Sequence, residues 1–231
     1  MKKVLLFLAD GFETYEAAVF IDVIGWNLVD GDQSTKLYSC GFKKEVKSSF
    51  DQRMVVDYLL DEIDVADFDA LAIPGGFAEF DFYRDAYDER FLQLIRGFKS
   101  QGKIIASVCV AALTVGKSGI LSGKRGTTYN KKAARQETLR SYGVNVINLP
   151  VVVDDNIITC WNPSTAIDVA FLLLELLTSK SNTDQIKNIM GFEDKIKPGE
   201  QSLKAGGRGD WQAPMTHEGP QAALGALPDK Y

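Results

Sequence analysis

The sequence predicts an α/β chain built on a mostly parallel sheet with helices on both faces. Three observations carry that expectation. Strand-like and helix-like patterns alternate along most of the chain. Several strands, "KVLLFLA", "DALAIPGG" and "GKIIASV", are continuous apolar runs, as expected of strands buried on both faces. Three such strands end at Asp10-Gly11, at Pro74-Gly75-Gly76 and at Cys109, and ligands bind beyond the carboxyl ends of strands in sheets of this kind.

The elements follow in order. "KVLLFLA" is the first strand, and residues 14–29 carry apolar side chains at helical spacing. "TKLYSCGF" is a second strand. "KEVKSSFDQRMVVDYLL" alternates polar and apolar residues around Asp51-Gln52, which predicts a small antiparallel ribbon. After "DALAIPGG", the aromatic stretch "FAEFDFYRDAY" reads as an amphipathic helix, with a pocket wall or dimer face as the alternative. Residues 88–101 form a helix, "GKIIASV" a strand, and a further helix opens after Cys109. Residues 131–142 form another amphipathic helix. "VNVINLPVVVDDNIITCW" predicts strands broken at Pro150 and turned at Asp155-Asn156. Asn162 then caps a long apolar helix with Pro163 in its first turn.

Composition narrows the function classes. The 231 residues, 45% of them apolar, suffice for one good-sized core. The net charge is -5 and no lysine- or arginine-rich run stands out, which argues against nucleic acid as the main partner. "AIDVAFLLLELL" is too short for a membrane span and carries Asp168 and Glu175. "MKKVLLFLADGFE" meets acidic residues too early for a signal peptide and reads as a buried first strand. Cys40, Cys109 and Cys160 have neither disulfide-framework nor zinc spacing, so a reduced, cytoplasmic setting is expected, with no metal. Four of seven prolines and many glycines fall beyond Phe192. The expected organisation is therefore a domain over 1–192 and a Gly/Pro-rich tail over 193–231.

The chemistry centres on "KIIASVCVAA". A cysteine where a strand gives way to a helix gains from unpaired N–H groups and the helix dipole, both of which favour thiolate. Gly75 and Gly76 let backbone approach a ligand closely and offer N–H groups to an oxyanion. In "ADGFETYEAA", Glu13 and Glu16 stand three apart at a helix start. Acids of this kind favour helix N-termini, which is the reading adopted for Glu13, and Glu16 is left as the candidate to point across the strand ends toward Cys109. Cys40 and Cys160 read as structural, either one able to resolve an oxidised Cys109 if close. Trp161 and Asn162 are candidate pocket walls.

"LADGFETYEAA", "LAIPGG" and "IIASVCVAA", in this order, resemble the ThiJ/PfpI family of the class I glutamine amidotransferase-like superfamily. "GILSGKRGTTYN", "DDNIITCWNPSTAIDVAFLLLELL" and "IMGF" are similar to its later segments. The resemblance spans roughly residues 1–192. It implies a flavodoxin-like three-layer sandwich with a nucleophile-elbow cysteine, commonly a homodimer that needs no cofactor. Cys109 matches the family's reactive cysteine and Glu16 its acidic partner. Gly75 and Gly76 match the turn beside the thiol, and the N–H of Val110 lies in the same elbow.

Two departures matter. Peptidase-like members have a histidine directly after the cysteine, where this chain has Val110. The deglycase and glyoxalase branch has one after the paired threonines, where this chain has Tyr129, a candidate for orienting substrate. The single histidine, His217, lies in the tail. The first reading is therefore a stress-response protein whose Cys109, poised by Glu16, senses peroxide or another small electrophile. A glyoxalase- or deglycase-like enzyme acting on α-oxoaldehydes or their adducts is the alternative, a non-catalytic interaction module the third. A peptidase is the reading least supported.

Overall fold

A computed structural model of the chain describes residues 1–192. The tail and His217 lie outside the described residues. The first strand, β1 (Lys2–Phe7), has a buried apolar run, Val4 to Phe7. Helix α1 (Thr14–Asp30) buries Glu16, Phe20, Val23, Ile24 and Asn27 along one face. The remaining strands are β2 (Thr35–Gly41), β3 (Glu45–Lys47), β4 (Arg53–Val55), β5 (Tyr58–Leu59), β6 (Ala70–Ile73), β7 (Ile104–Ser107), β8 (Arg125–Gly126), β9 (Asn145–Val146), β10 (Val151–Asp154) and β11 (Ile157–Cys160). The remaining helices are α2 (Phe82–Ala86), α3 (Glu89–Ser100), α4 (Ala111–Lys117), α5 (Ala133–Ser141), α6 (Ala166–Leu177) and α7 (Lys180–Ile189).

The main sheet runs β10-β11-β7-β6-β1-β2-β5. Every neighbouring pair is parallel except β10 with β11, which turn back on each other at Asp155-Asn156. Helices α1, α6 and α7 pack on one face, and α3, α4 and α5 on the other. The result is the flavodoxin-like three-layer sandwich. β6 is buried along its whole length, as a strand covered on both faces must be. The α1–α7 layer is tied by a buried amide network. Asn27 donates to Thr35 Oγ1 (2.7 Å), and Asn182 donates to Asn27 Oδ1 (2.6 Å). Buried amides paired on both ends fix register rather than weaken the core.

Three expectations need correction. The aromatic stretch 77–87 is not one helix. A 3-10 turn at Ala78–Phe80 is cut from α2 by Asp81, which holds left-handed backbone (φ 64°). The ribbon around Asp51-Gln52 forms as β3 and β4, but Tyr58–Leu59 leaves it to pair with β2 at the edge of the main sheet. Pro163 opens a 3-10 turn over Pro163–Thr165 that runs into α6, so the long helix begins one turn late. The Asn162 N–H donates to Thr165 Oγ1 (3.3 Å) across that turn.

Gly25 sits inside α1 with helical backbone, and a Cβ built there meets nothing within 4 Å. Gly25→Ala is therefore expected to stabilise the protein by roughly 0.5–1 kcal/mol, because it removes unfolded-state freedom at no steric cost. Urea denaturation of the two proteins measures this; a loss of stability would mean that the α1 surface is covered in solution.

Candidate active site

Three strand ends converge at one edge of the sheet. The loop after β1 and the Pro74-Gly75-Gly76 turn after β6 are stitched together by backbone: Glu13 N–H donates to Gly75 O (2.8 Å) and Phe77 N–H to Gly11 O (3.1 Å). Asp10, at the β1 end, accepts from Lys43 (2.5 Å), Arg84 (2.8 Å) and Lys47 N–H (3.1 Å). Burial works against its charge, but these donors win and hold its carboxyl below the usual range. Asp10 is thus an anchor for the loop.

Cys109 follows β7 and precedes α4. Its backbone is left-handed, with φ 57°. The other four non-glycine residues with positive φ, Gln33, Asp51, Asp81 and Asp155, are exposed turn residues. Cys109 is the buried exception among the described residues, at 9% exposure. Side chains other than glycine hold this conformation at a cost of about 1–2 kcal/mol, so its neighbours must enforce it. Ala111 N–H closes the turn onto Val108 O (3.0 Å), and Thr128 Oγ1 donates to Cys109 O (2.9 Å). Thr127 N–H is bonded in turn to Thr159 Oγ1 (3.0 Å). The paired threonines thereby brace the cysteine and set Tyr129 beside it.

Glu16 lies in the first turn of α1, 1% exposed. Glu13 caps that helix, its carboxylate accepting from Glu16 N–H (2.8 Å), which is the structural role its position implied. Glu16 Oε2 accepts from Gly75 N–H (2.7 Å). Oε1 is buried with no well-formed hydrogen bond, although the Cys109 thiol is close enough to affect the carboxyl's proton affinity. Burial, helped by the charge of Glu13, pushes the Glu16 carboxyl up to about 8. Burial, then the Glu16 charge, also holds the Cys109 thiol well above the ordinary range, against the Val110 N–H that favours thiolate. The expected helix-stabilised thiolate is thus corrected: α4 offers one N–H, and desolvation outweighs it. At neutral pH the resting pair is a thiol beside a carboxylic acid.

The oxyanion candidates divide. Gly75 N–H is already given to Glu16, so it is no free donor. Gly76 N–H has no partner among the described residues, and Gly76 and Val110 both line the cavity next to Cys109. That cavity, about 170 Å³, is walled by Glu13, Glu16, Gly76, Phe77, Cys109 and Tyr129, among others. It is close in size to the cavity of about 150 Å³ that holds one benzene. Trp161 and Asn162 do not line it. Their neighbour Pro163 does, while Asn162 is turned to Asn130 (3.2 Å).

Lys132 and Arg135 also line the cavity, and sequence reasoning missed them. They follow the "TTYN" segment three apart at the start of α5, a spacing that puts two cations on one helix face. Phe77, Ala78 and Glu79 line the cavity too, so the pocket-wall alternative, rather than the preferred single helix, describes the start of the aromatic stretch.

All three cysteines are free. Burial alone raises the Cys40 thiol, consistent with packing. Burial pushes the Cys160 thiol up to about 11 even though the N–H groups of Cys109 and Asn162 point to its sulfur. Among the described residues no cluster of His, Cys, Asp and Glu is arranged to hold a metal ion, and no helix is long and apolar enough to cross a membrane.

The sequence model of the DJ-1/PfpI family matches residues 2–176. DJ-1 homolog A of Arabidopsis thaliana is 28% identical over 201 residues, covering 87% of this chain but 48% of its own, so the chain spans about half of that relative. A deglycase of Thermococcus kodakarensis is 28% identical over 70% of this chain and 90% of its own. The crystal structure of Drosophila melanogaster DJ-1beta superposes with a TM-score of 0.71 at 27% identity, covering 82% of this chain and 97% of that one.

Proposed function

The chain belongs to the DJ-1/PfpI family, and from that premise we propose that it is a peroxide-responsive thiol protein in which Cys109 reacts and Glu16 stabilises the product. The observation that carries this reading is Glu16 Oε1, buried without a hydrogen-bond partner on a carboxyl that keeps its proton at neutral pH. A protonated carboxyl beside a neutral thiol has a donor with nothing strong to give to. Oxidation supplies the acceptor. The Cys109 sulfur attacks a peroxide oxygen, the S–O bond forms as the O–O bond breaks, and the thiol proton leaves with the departing water. A second peroxide adds a second oxygen, giving sulfinate. That anion accepts the Glu16 proton in a short charge-assisted bond, while Gly75 N–H keeps the carboxyl in place.

A second reading has its own support. A small cavity of this size beside Cys109, also lined by Tyr129, suits a small carbonyl compound, and the relative from Thermococcus kodakarensis is described as a deglycase.

Peroxide titration followed by peptide mass analysis tests the first reading. Cys109 is expected to gain two oxygen atoms before Cys40 or Cys160 gains one. In Glu16→Leu it should pass on to the three-oxygen sulfonate, since the stabilising donor is gone. Equal oxidation of the three cysteines would sink the sensor. Turnover of methylglyoxal by the wild type, abolished in Cys109→Ser, would establish the enzyme instead.

A further inference from the structure

Six of the seven arginines in the described chain, Arg53, Arg84, Arg90, Arg96, Arg125 and Arg140, lie within 4 Å of a carboxylate. Arg135 has none among the described residues. It is half-buried, its guanidinium sits over the Tyr83 ring (5.2 Å to the centroid), and it lines the cavity that holds Cys109. Lys132, one turn before it and also without a carboxylate partner among the described residues, lines the same cavity. Of the three acids that line the cavity with them, Glu13, Glu16 and Glu79, none forms an ion pair with either cation. Glu13 is committed to capping α1 and Glu79 lies in the exposed 3-10 turn. An arginine half-withdrawn from water is stabilised by a carboxylate in bidentate contact, and here no carboxylate of the described residues makes that contact.

The geometry points to a ligand that brings it: we infer that the Cys109 cavity takes a small aldehyde carrying a carboxylate, an aldehydo acid, whose anion sits on Arg135 and Lys132. This rests on Cys109 being a reactive thiol, as proposed above. The tyrosine-backed guanidinium fixes the acid end, and a cavity of about 170 Å³ that Cys109 also lines limits the ligand to a small molecule. The covalent step is an addition. The Cys109 sulfur bonds to the carbonyl carbon and the C=O π pair moves to oxygen. That oxygen takes the Glu16 proton while the thiol proton passes to Glu16. The hemithioacetal contains every atom of thiol and aldehyde, nothing is oxidised, and the step reverses. The cation wall selects among electrophiles by charge, which the sulfur alone cannot do.

Iodoacetate and iodoacetamide isolate that selection, since they share the reacting carbon and leaving group and differ in charge. The rate ratio, iodoacetate over iodoacetamide, is read at the Cys109 peptide and referred to the same peptide in the urea-unfolded chain. Folding is expected to raise the ratio about tenfold or more, and salt to erode the gain. Arg135→Gln and Lys132→Gln should each return it toward the unfolded value; both side chains lie at or near the surface, so folding is retained. Glyoxylate should then protect Cys109 from iodoacetamide at concentrations where acetaldehyde does not. A ratio equal to that of the unfolded chain, or one unmoved by both substitutions, overturns the anion subsite while leaving the reactive thiol intact. A folded protein whose Cys109 resists iodoacetamide altogether overturns the reactive thiol, and the subsite with it.

Discussion

Replacing Glu16 with glutamine is expected to stabilise the protein increasingly as pH rises, the gap over wild type widening by roughly 3 kcal/mol between about pH 5.5 and about pH 9. The sign follows from proton counting. The Glu16 carboxyl ionises near its ordinary value of 4.5 when unfolded and at about 8 when folded. Between those values the native state holds a proton that the unfolded state has lost, so raising pH favours unfolding. The stability is fully present below the unfolded value and is lost by the time pH passes the folded one. Glutamine keeps the shape, still accepts from Gly75 N–H and does not titrate. The difference between the two denaturation curves therefore reports Glu16 together with the Cys109 thiol coupled to it, since groups remote from that pair are common to both. Urea midpoints across that pH range measure it. Parallel curves would mean that Glu16 is ionised at neutral pH, and the donor needed to stabilise an oxidised Cys109 would not exist.

The same substitution explains why Glu16 was visible in the sequence while its protonation state was not. Its place in the first turn of the helix after β1 follows from the helical period, and the family resemblance pairs it with Cys109. Its proton affinity depends on water being excluded and on a single backbone donor at Gly75. Both are properties of the packed structure. For Cys109 the local signals pointed the wrong way: a strand-to-helix junction promised helix N–H groups, but the packing that makes the elbow also removes the solvent that would support a thiolate.

The sheet was legible for a simpler reason. Parallel strands buried on both faces must be apolar without interruption, so β1, β6 and β7 announce themselves, and Pro150 and Asp155-Asn156 mark where the last strands stop and turn. What escaped were decisions taken by one residue's backbone. Asp81 in left-handed conformation divides an amphipathic pattern into two pieces and sends Phe77, Ala78 and Glu79 to the cavity. Lys132 and Arg135 fell inside the amphipathic helix expected over residues 131–142 and were not singled out, because an arginine without a partner cannot be told from a paired one until its neighbours in space are known. The amphipathic period carries no record of either event.

Gly75→Ala is expected to have the second large effect, and it separates the roles of the turn. Gly75 needs no unusual backbone angle, so its requirement is space. An added Cβ would lie 2.7 Å from Glu16 Oε2, 3.1 Å from Val108 O and 3.2 Å from Cys109 Cβ. The last two belong to backbone or to the strained elbow and cannot retreat, so Glu16 must move, and the 2.7 Å bond from Gly75 N–H to its carboxyl stretches or breaks. Crowding of this kind costs about 1–3 kcal/mol, and the loss should appear directly in urea denaturation. The more telling readout is chemical. With the carboxyl displaced, Cys109 loses the partner that shapes its titration, and the pH dependence of its alkylation should come to match that of Glu16→Gln, although alanine at 75 leaves both reacting residues in the chain. If Gly75→Ala instead keeps the wild-type alkylation profile at reduced stability, the turn serves packing alone and the coupling between Glu16 and Cys109 does not depend on it. If it matches Glu16→Gln, the glycine is what keeps the acid of α1 and the thiol after β7 coupled.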